Sequence, residues 1–295
     1  MPAAFIVPRT VQAGSVLAVV APAGPFDRDA FDAGVEWLRT RYEVRFDGGI
    51  YSRCGFLAGD DARRLGELRA ALADPVIDAI LCARGGYGAT RLLGGLDPAT
   101  VATANKLLVG FSDATALHAL WARAGVRSLH ATMVAGLGTA DAAVRDRWVA
   151  AVENHGAPRR WELETLVGGR AEGRLIGGNL AVLGALLGTP FAPPVDGCLL
   201  FLEDVGERPY RVDRLLTQMR SAGWFERASG IVLGSFTESS PGPDGVSLDD
   251  VLCERLGGTG LPVLRGFAAG HIDDHVPVPF GALARLDGGA LEIVG

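Results

Sequence analysis

The chain has almost no lysine and no cluster of basic residues. Lys106 is the only lysine among 28 basic residues, and the arginines are spread along a chain whose formal net charge is −6. Proteins that bind nucleic acids need clustered positive charge to neutralise the phosphates. We therefore expect no nucleic-acid partner.

Cysteine is scarce and long apolar runs are missing. Two of the 4 cysteines, Cys82 and Cys198, lie inside short apolar runs, which favours free thiols in a reducing compartment over a disulfide framework or a metal cluster. No apolar run approaches the roughly 20 residues of a membrane span. The run at 16–23 is too short and too β-branched for a signal peptide. A cytoplasmic protein without a membrane partner is expected.

Short apolar runs alternate with helical patterns in the first half of the chain. This alternation predicts an α/β domain with a parallel sheet covered by helices on both faces. The predicted strands are Val16–Ala21, Ala79–Ala83 and Leu107–Gly110. The predicted helices are Arg28–Tyr42 (capped by Asp27), Asp60–Ala73, Ala114–Arg123 and Asp141–Glu153. Ligands of such sheets bind at the carboxyl ends of the strands.

The pattern changes near residue 154. Glycine and proline punctuate the segment 154–172, which we predict to be a linker between an α/β domain over 1–153 and a smaller mixed α/β domain over 173–295. Further strands and helices are expected in the second half, and a glycine turn at 288–289 predicts a terminal β-hairpin.

Ser112 lies at a predicted strand-to-helix turn. The apolar run Leu107–Gly110 ends in Gly-Phe-Ser, and a helical segment follows at once. A serine at such a turn lies near unpaired backbone N–H groups, as the nucleophile of acyl transfer does. The nucleophile-elbow pattern has glycine two residues later, where this chain has Ala114. The alternative is an ordinary strand end with a capping side chain.

Three other segments carry candidate side chains. The glycines of 85–88, which follow a predicted strand and Arg84, could cradle an anion or form an ordinary turn. Glu203 ends an apolar strand and could orient an imidazole or pair with a nearby arginine. His271 and His275 have a metal-ligand spacing, but the prolines at 277 and 279 argue against a helix, so a loop histidine acting as a base is as good an interpretation.

Five motifs in this order resemble the LD-carboxypeptidases, the serine peptidase family that includes muramoyltetrapeptide carboxypeptidase and the microcin C immunity peptidases. The resemblance covers nearly the whole chain. The motifs are Arg84-Gly85-Gly86-Tyr87-Gly88, Gly110-Phe111-Ser112-Asp113, Gly177-Gly178-Asn179-Leu180, Leu202-Glu203-Asp204-Val205-Gly206-Glu207 with Arg214 downstream, and Gly270-His271.

The resemblance implies a Ser-Glu-His triad at the interface of two domains. Ser112 would be the nucleophile, His271 the general base and Glu203 its orienting carboxylate. The backbone N–H groups of Gly86 and Asp113 would form the oxyanion hole.

The implied reaction releases terminal D-Ala from murein tetrapeptides in peptidoglycan recycling, without a metal or other cofactor. Arg84, Tyr87 and Asn179 are the expected substrate-binding residues, and Arg84 would bind the free carboxylate. The family resemblance also implies a homodimer.

Two alternatives remain open at this point. Within the family, the chain could inactivate microcin C-like peptidyl-nucleotides, although its five tryptophans are dispersed rather than grouped as a platform for a nucleobase. Outside it, the chain could be a non-catalytic two-domain protein that binds a ligand, with Ser112 only capping a helix.

Overall fold

The structure is a computed structural model that describes residues 4–294. It divides into two compact units: an N-terminal unit, Phe5–His155 with Pro277–Pro279, and a C-terminal unit formed by Gly156–Val276 and the chain from Phe280 onward. Each unit contains its own sheet. Among the described residues, no helix is both long and apolar enough to cross a membrane.

The N-terminal unit alternates strands and helices, as the apolar pattern predicts. Its strands are β1 (Val16–Val20), β2 (Glu43–Arg45), β3 (Ala79–Cys82), β4 (Leu107–Gly110) and β5 (Ser128–His130). Its helices are α1 (Arg28–Arg39), α2 (Asp61–Ala73), α3 (Pro98–Ala104), α4 (Thr115–Arg123), α5 (Val134–Thr139) and α6 (Ala142–Glu153). Asp27 caps α1 as predicted, by accepting a hydrogen bond from the Ala30 N–H.

Strands β1 to β5 pair in parallel. A late strand, Val278–Phe280, joins the edge beside β5, and the full order is Val278–Phe280, β5, β4, β3, β1, β2. The order reverses between β1 and β3, where crossovers leave in opposite directions and open a crevice at the carboxyl ends of the strands. The glycines of 85–88 follow β3 and lie at this crevice.

The buried face of α2 differs from the predicted one. The spacing of Leu65, Leu68 and Leu72 predicts a face of leucines, but Arg64 is fully buried there together with Leu68, Ala71 and Leu72. The Arg64 guanidinium donates to the carbonyl oxygens of Pro22, after β1, and Gly88, after β3. A charged residue on the inner face of a helix is stable only when its donors are satisfied, and these carbonyls satisfy two of them.

The C-terminal unit is a mixed sheet with helices. Its strands are β6 (Arg159–Glu162), β7 (Glu164–Val167), β8 (Arg170–Asn179), β9 (Leu199–Val205), β10 (Gly230–Thr237), β11 (Val263–Arg265), β13 (Leu283–Asp287) and β14 (Ala290–Ile293). The label β12 denotes Val278–Phe280, the late strand of the first sheet. Its helices are α7 (Leu180–Leu186), α8 (Pro209–Ser221), α9 (Trp224–Arg227) and α10 (Leu248–Gly257).

The second sheet has eight strands, in the order β6, β14, β13, β8, β9, β10, β11, β7. Strands β8 to β11 pair in parallel, and the remaining pairs are antiparallel, including the predicted terminal hairpin of β13 and β14. The segment predicted as a linker, 154–172, contains β6 and β7 and begins β8. Much of it is therefore strand in this sheet, not a structureless connection.

Candidate active site

Ser112 lies on a sharp turn between β4 and α4. Strand β4 ends at Gly110, and Ser112 opens a short 3₁₀ turn, Ser112–Ala114, that leads into the helix. The backbone of Ser112 has φ = +61°, one of three positive values among the described non-glycine residues. Such backbone strain at a non-glycine residue is typical of functional sites. It turns the half-buried serine out of the strand direction.

Small residues surround this turn because the backbone is crowded. A Cβ on Gly85 would lie 2.9 Å from both Cβ and Oγ of Ser112, and a Cβ on Gly110 would lie 3.0 Å from Cβ of Ala114. Ala114, which stands where the elbow pattern has glycine, has the smallest side chain after glycine. Gly85 also brings the glycine loop into contact with the serine side chain.

Asp113 ties the serine turn to the glycine loop. Its buried carboxylate accepts a hydrogen bond from the Ala89 backbone N–H at 2.7 Å. Burial raises the pKa of Asp113 to about 6, against its ordinary value of 3.8, and hydrogen bonds from Ala89 and Gly88 oppose the shift. On the other side of the loop, Gly88 has φ = +137°, and a Cβ there would meet Arg64 Nη1 at 2.6 Å.

A buried histidine supports the strand that carries the serine. His118 Nε2 lies 2.8 Å from the carbonyl oxygen of Gly110, and its Nδ1 lies 2.8 Å from Oγ of Ser128. Burial lowers the pKa of His118 to about 3, so the ring is neutral near pH 7. Residue spacing does not predict these contacts of His118, because they come from tertiary packing.

Glu203 and His271 form a hydrogen-bonded pair in the C-terminal unit. His271 Nδ1 lies 2.8 Å from Oε2 of Glu203, whose side chain is fully buried, while the imidazole is 20% exposed. A carboxylate bonded to Nδ1 fixes the tautomer in which Nε2 is available as a base. Of the two possibilities left open for Glu203, the structure contains the histidine pair, while Arg211 pairs with Glu207 at 2.8 Å.

The loop that carries His271 is closed by His275. His275 is buried, and its Nδ1 lies 2.7 Å from the carbonyl oxygen and 3.2 Å from the nitrogen of Gly270. The shorter contact identifies the ring N–H as a donor to the carbonyl. Gly270 has φ = +134°, and a Cβ there would lie 2.9 Å from Oε2 of Glu203. Only glycine therefore lets the loop approach the carboxylate.

These contacts bear on the metal alternative for His271 and His275. One ring faces Glu203 and the other faces the Gly270 backbone. Within residues 4–294, no group of three or more histidine, cysteine or acidic side chains is arranged to hold a metal ion.

Asn179 has a structural position at the end of β8. Its side-chain oxygen caps α7 by accepting from the Val182 N–H, and its amide donates to Oδ1 of Asp204 at 2.8 Å. Burial raises the pKa of Asp204 to about 6, and the Asn179 hydrogen bond opposes the shift. Asn179 is only 5% exposed, and its role in substrate binding stays a prediction.

Arg84 and Tyr87 lie on the exposed side of the glycine loop. Arg84 donates to the carbonyl oxygen of Pro25 at 3.0 Å, and its Nη1 lies 3.5 Å from the position that a Cβ of Gly86 would take. The ring of Tyr87, 49% exposed, lies 5.7 Å from that of Phe56, 65% exposed. Both predicted residues therefore accompany the loop that contacts Ser112.

The structure groups the predicted residues within each unit. Ser112, Gly86 and Asp113 belong to the N-terminal unit with Arg84 and Tyr87, and Glu203 and His271 belong to the C-terminal unit with Asn179. One unit thus holds a strained serine against a glycine loop, and the other holds an imidazole on a buried carboxylate. A serine, an imidazole and a carboxylate are the groups that a serine-hydrolase triad combines.

Comparison with known proteins shows which family the chain belongs to. The family profile described as LD-carboxypeptidase N-terminal domain matches residues 17–131, and the one described as LD-carboxypeptidase C-terminal domain matches 172–286. A Streptomyces coelicolor protein assigned as a carboxypeptidase is 42% identical over 95% of this chain and 93% of its own length. The chain belongs to the LD-carboxypeptidase family. By this membership it is a serine carboxypeptidase.

Other relatives cover most of the chain. The murein tetrapeptide carboxypeptidase of Pseudomonas aeruginosa is 33% identical over 94% of each chain. A crystal structure of muramoyltetrapeptide carboxypeptidase from Oxalobacter formigenes has a TM-score of 0.86 and 29% identity, over 95% of this chain and 98% of that one. The microcin C7 self-immunity protein of Escherichia coli is 25% identical over 90% of this chain and 88% of its own length.

Proposed function

We propose that this carboxypeptidase releases the terminal D-alanine of murein tetrapeptides, as in peptidoglycan recycling, with Ser112 as nucleophile, His271 as general base and Glu203 as the carboxylate that orients it. The relatives named for murein or muramoyl tetrapeptides support the substrate. The hydrogen bond from His271 to the buried Glu203 is the observation that carries the mechanism.

The reaction follows the acyl-enzyme route. Nε2 of His271 takes the proton of the Ser112 hydroxyl, and the oxygen attacks the carbonyl carbon of the scissile amide. The C–N bond then breaks, His271 protonates the departing amine of D-alanine, and an ester to Ser112 remains. Water, deprotonated by the same imidazole, hydrolyses the ester and restores the serine.

Gly86 and Asp113 are the proposed oxyanion donors. Asp113 follows the serine directly, and Gly86, with φ = +105°, has a backbone conformation open to glycine but rarely to other residues. Asp113 holds the glycine loop through Ala89, so the positions of the two N–H groups depend on the same carboxylate. Loss of one such donor typically costs about 3–4 kcal/mol of transition-state stabilisation.

The decisive assay follows D-alanine release from a free murein tetrapeptide or its UDP-linked precursor by mass spectrometry. Wild type should act without added metal and in the presence of a chelator. Ser112→Ala and His271→Ala should each lower kcat by about 10³-fold or more. Ser221→Ala, which changes an exposed serine at the end of α8, serves as the control and should retain most of the activity.

Release of D-alanine by the Ser112→Ala variant at the wild-type rate would overturn the mechanism. Inhibition of wild type by a chelator would point instead to a metal-dependent reaction. If wild type is active on other peptides but not on murein tetrapeptides, the serine mechanism stands and the proposed substrate is wrong.

A second candidate function is inactivation of microcin C-like peptidyl-nucleotides. The exposed pair Phe56–Tyr87 beside the glycine loop favours it, because a nucleobase stacks on aromatic rings. Parallel assays with a peptidyl-adenylate analogue and a murein tetrapeptide decide between the two. A higher kcat/KM for the nucleotide, lowered by Tyr87→Ala, would favour this candidate, whereas preference for the tetrapeptide would exclude it.

A cytoplasmic homodimer completes the proposal. Four free cysteines, two of them buried, support a reducing compartment. Sedimentation of the purified chain measures the oligomeric state, and fractionation of the source cells measures the location.

A further inference from the structure

A small cavity with two arginines lies next to the glycine loop of the N-terminal unit. Its volume is about 160 Å³, and it is lined by Pro25, Phe26, Arg28, Ile50, Tyr51, Ser52 and Arg53. The segment that contains Pro25 and Phe26 leads from β1 to α1, on the crevice where the strand order reverses. Ligands of parallel sheets bind in such crevices.

Two guanidinium groups are held by successive carbonyl oxygens of this segment. Arg84 donates to the oxygen of Pro25 at 3.0 Å, and Arg53 donates to that of Phe26 at 3.4 Å. Both side chains belong to exposed residues. A guanidinium has five N–H donors, so one carbonyl leaves most of them available to an anion.

The segment also contacts Gly85, the residue that lies against Ser112. Gly24, which precedes Pro25, donates its N–H to the carbonyl oxygen of Gly85 at 3.0 Å. Gly85 in turn leaves no room for a side chain beside Oγ of Ser112. Both arginines therefore donate to a short backbone segment that contacts the glycine loop next to the candidate nucleophile.

Local charge favours an anion at this place. Arg28, which lines the cavity with Arg53, lies 3.6 Å from Asp32 and covers the ring of Tyr51 at 4.5 Å. Among the described residues, neither Arg53 nor Arg84 has a carboxylate within ion-pair distance. In a chain of net charge −6, this leaves a positive site beside the glycine loop.

We propose that Arg53 and Arg84, with the cavity between Pro25 and Arg53, form an anion subsite that binds the free carboxylate of the residue released. The inference rests on the proposed function, because a carboxypeptidase substrate carries a carboxylate next to its scissile amide. The carboxylate of the released residue lies only a few bonds from the scissile carbonyl. Arg84 lies beside Gly86, a proposed oxyanion donor, and is therefore placed near that carboxylate. Arg53, whose guanidinium donates to the carbonyl oxygen of Phe26, extends the positive site into the cavity.

The test compares a tetrapeptide that ends in a free carboxylate with the same peptide as a C-terminal amide. Wild type should prefer the acid. Arg53→Gln and Arg84→Gln should each raise KM for the acid, the double variant by about tenfold or more, with little change in kcat and no change for the amide. Arg9→Gln is the matched control, because exposed Arg9 also donates to a proline carbonyl, that of Pro75, at 2.8 Å.

Binding measured without turnover separates this inference from the proposed function. Calorimetry on Ser112→Ala should give a lower Kd for the acid than for the amide, and adding Arg53→Gln and Arg84→Gln should remove the difference. Retention of the difference in that triple variant, or an Arg53→Gln variant identical to wild type, overturns the joint subsite. If wild type releases no D-alanine while the calorimetric preference holds, the proposed reaction fails and the anion subsite stands.

Discussion

At the scale of the residue, the candidate site depends on positions where a side chain would be too large. Gly85 leaves space for Ser112, and Gly270 leaves space for Glu203. The order of the motifs predicts the candidate catalytic residues, and the local composition predicts the glycine-rich loops. It could not predict which glycine contacts which functional side chain, because those contacts join segments distant in the chain.

The substitution Gly85→Ala tests this crowding. The new Cβ would lie 2.9 Å from Oγ of Ser112, so the serine must move from its position. We expect kcat for D-alanine release to fall roughly 10²-fold, the loss typical of a small misplacement of a reacting group.

The control for Gly85→Ala is Gly66→Ala, on α2, where a Cβ meets nothing within 4 Å. It should keep kcat and raise stability by about 0.5–1 kcal/mol. A Gly85→Ala variant with wild-type kcat would show that the loop does not need its close approach to the serine.

Asp113 predicts a pH dependence of stability. Its pKa in the folded chain is about 6, above its ordinary value of 3.8, so between these values the folded state binds more protons than the unfolded state. Its contribution to stability is therefore complete below pH 3.8 and is lost as the pH rises through about 6. Asp113→Asn, which keeps an acceptor for the Ala89 N–H, should remove this contribution.

Urea unfolding of wild type and Asp113→Asn at pH 4.5 and pH 7 measures the effect. Relative to the variant, wild type should lose up to about 2 kcal/mol between the two pH values. Asp204→Asn is a parallel case, since burial also raises the pKa of Asp204 to about 6. Equal pH slopes for wild type and Asp113→Asn would contradict the account.

At the scale of the element, strands with a continuous apolar run were predictable from the sequence, and strands interrupted by glycines were not. The bounds of β4 match the prediction, because its four buried residues form one apolar run. Strand β8 was missed because three glycines lower its β propensity. Close packing requires two of them, since a Cβ on Gly173 would lie 2.3 Å from the carbonyl oxygen of Gly197 and one on Gly177 would lie 1.9 Å from that of Phe201.

The inner face of α2 gives the clearest prediction at this scale. Arg64→Met leaves the carbonyl oxygens of Pro22 and Gly88 without their donor. Each buried group left unsatisfied lowers the free energy of unfolding by about 1–3 kcal/mol. We expect a loss of roughly 2–5 kcal/mol in the free energy of unfolding and a lower kcat, because Gly88 belongs to the loop that contacts the serine turn.

Arg69→Met, on the exposed face of the same helix, is the control for Arg64→Met. Arg69 also donates to a backbone carbonyl, that of Gly95, but its side chain is exposed. It should lose less than about 1 kcal/mol. Equal losses for the two variants would show that the buried position of Arg64 has no special role.

At the scale of the whole molecule, the chain distributes its chemistry over two units. Sequence motifs were sufficient to predict that Ser112 belongs to the first unit and that Glu203 and His271 belong to the second, because the motifs follow chain order. The sequence did not predict that residues 277–279 return to the N-terminal unit after the His271 loop. A strand of three residues, Val278–Phe280, is too short to give a periodic signal.

The central claim is that His271 makes the hydroxyl of Ser112 a nucleophile, and covalent labelling of the full chain tests it most directly. A serine-reactive fluorophosphonate, followed by peptide mass mapping, should modify Ser112, and His271→Asn should slow the labelling by about 10³-fold or more. Ser112→Ala should prevent it. Labelling of a different serine, or a rate on Ser112 unchanged by His271→Asn, would contradict the account.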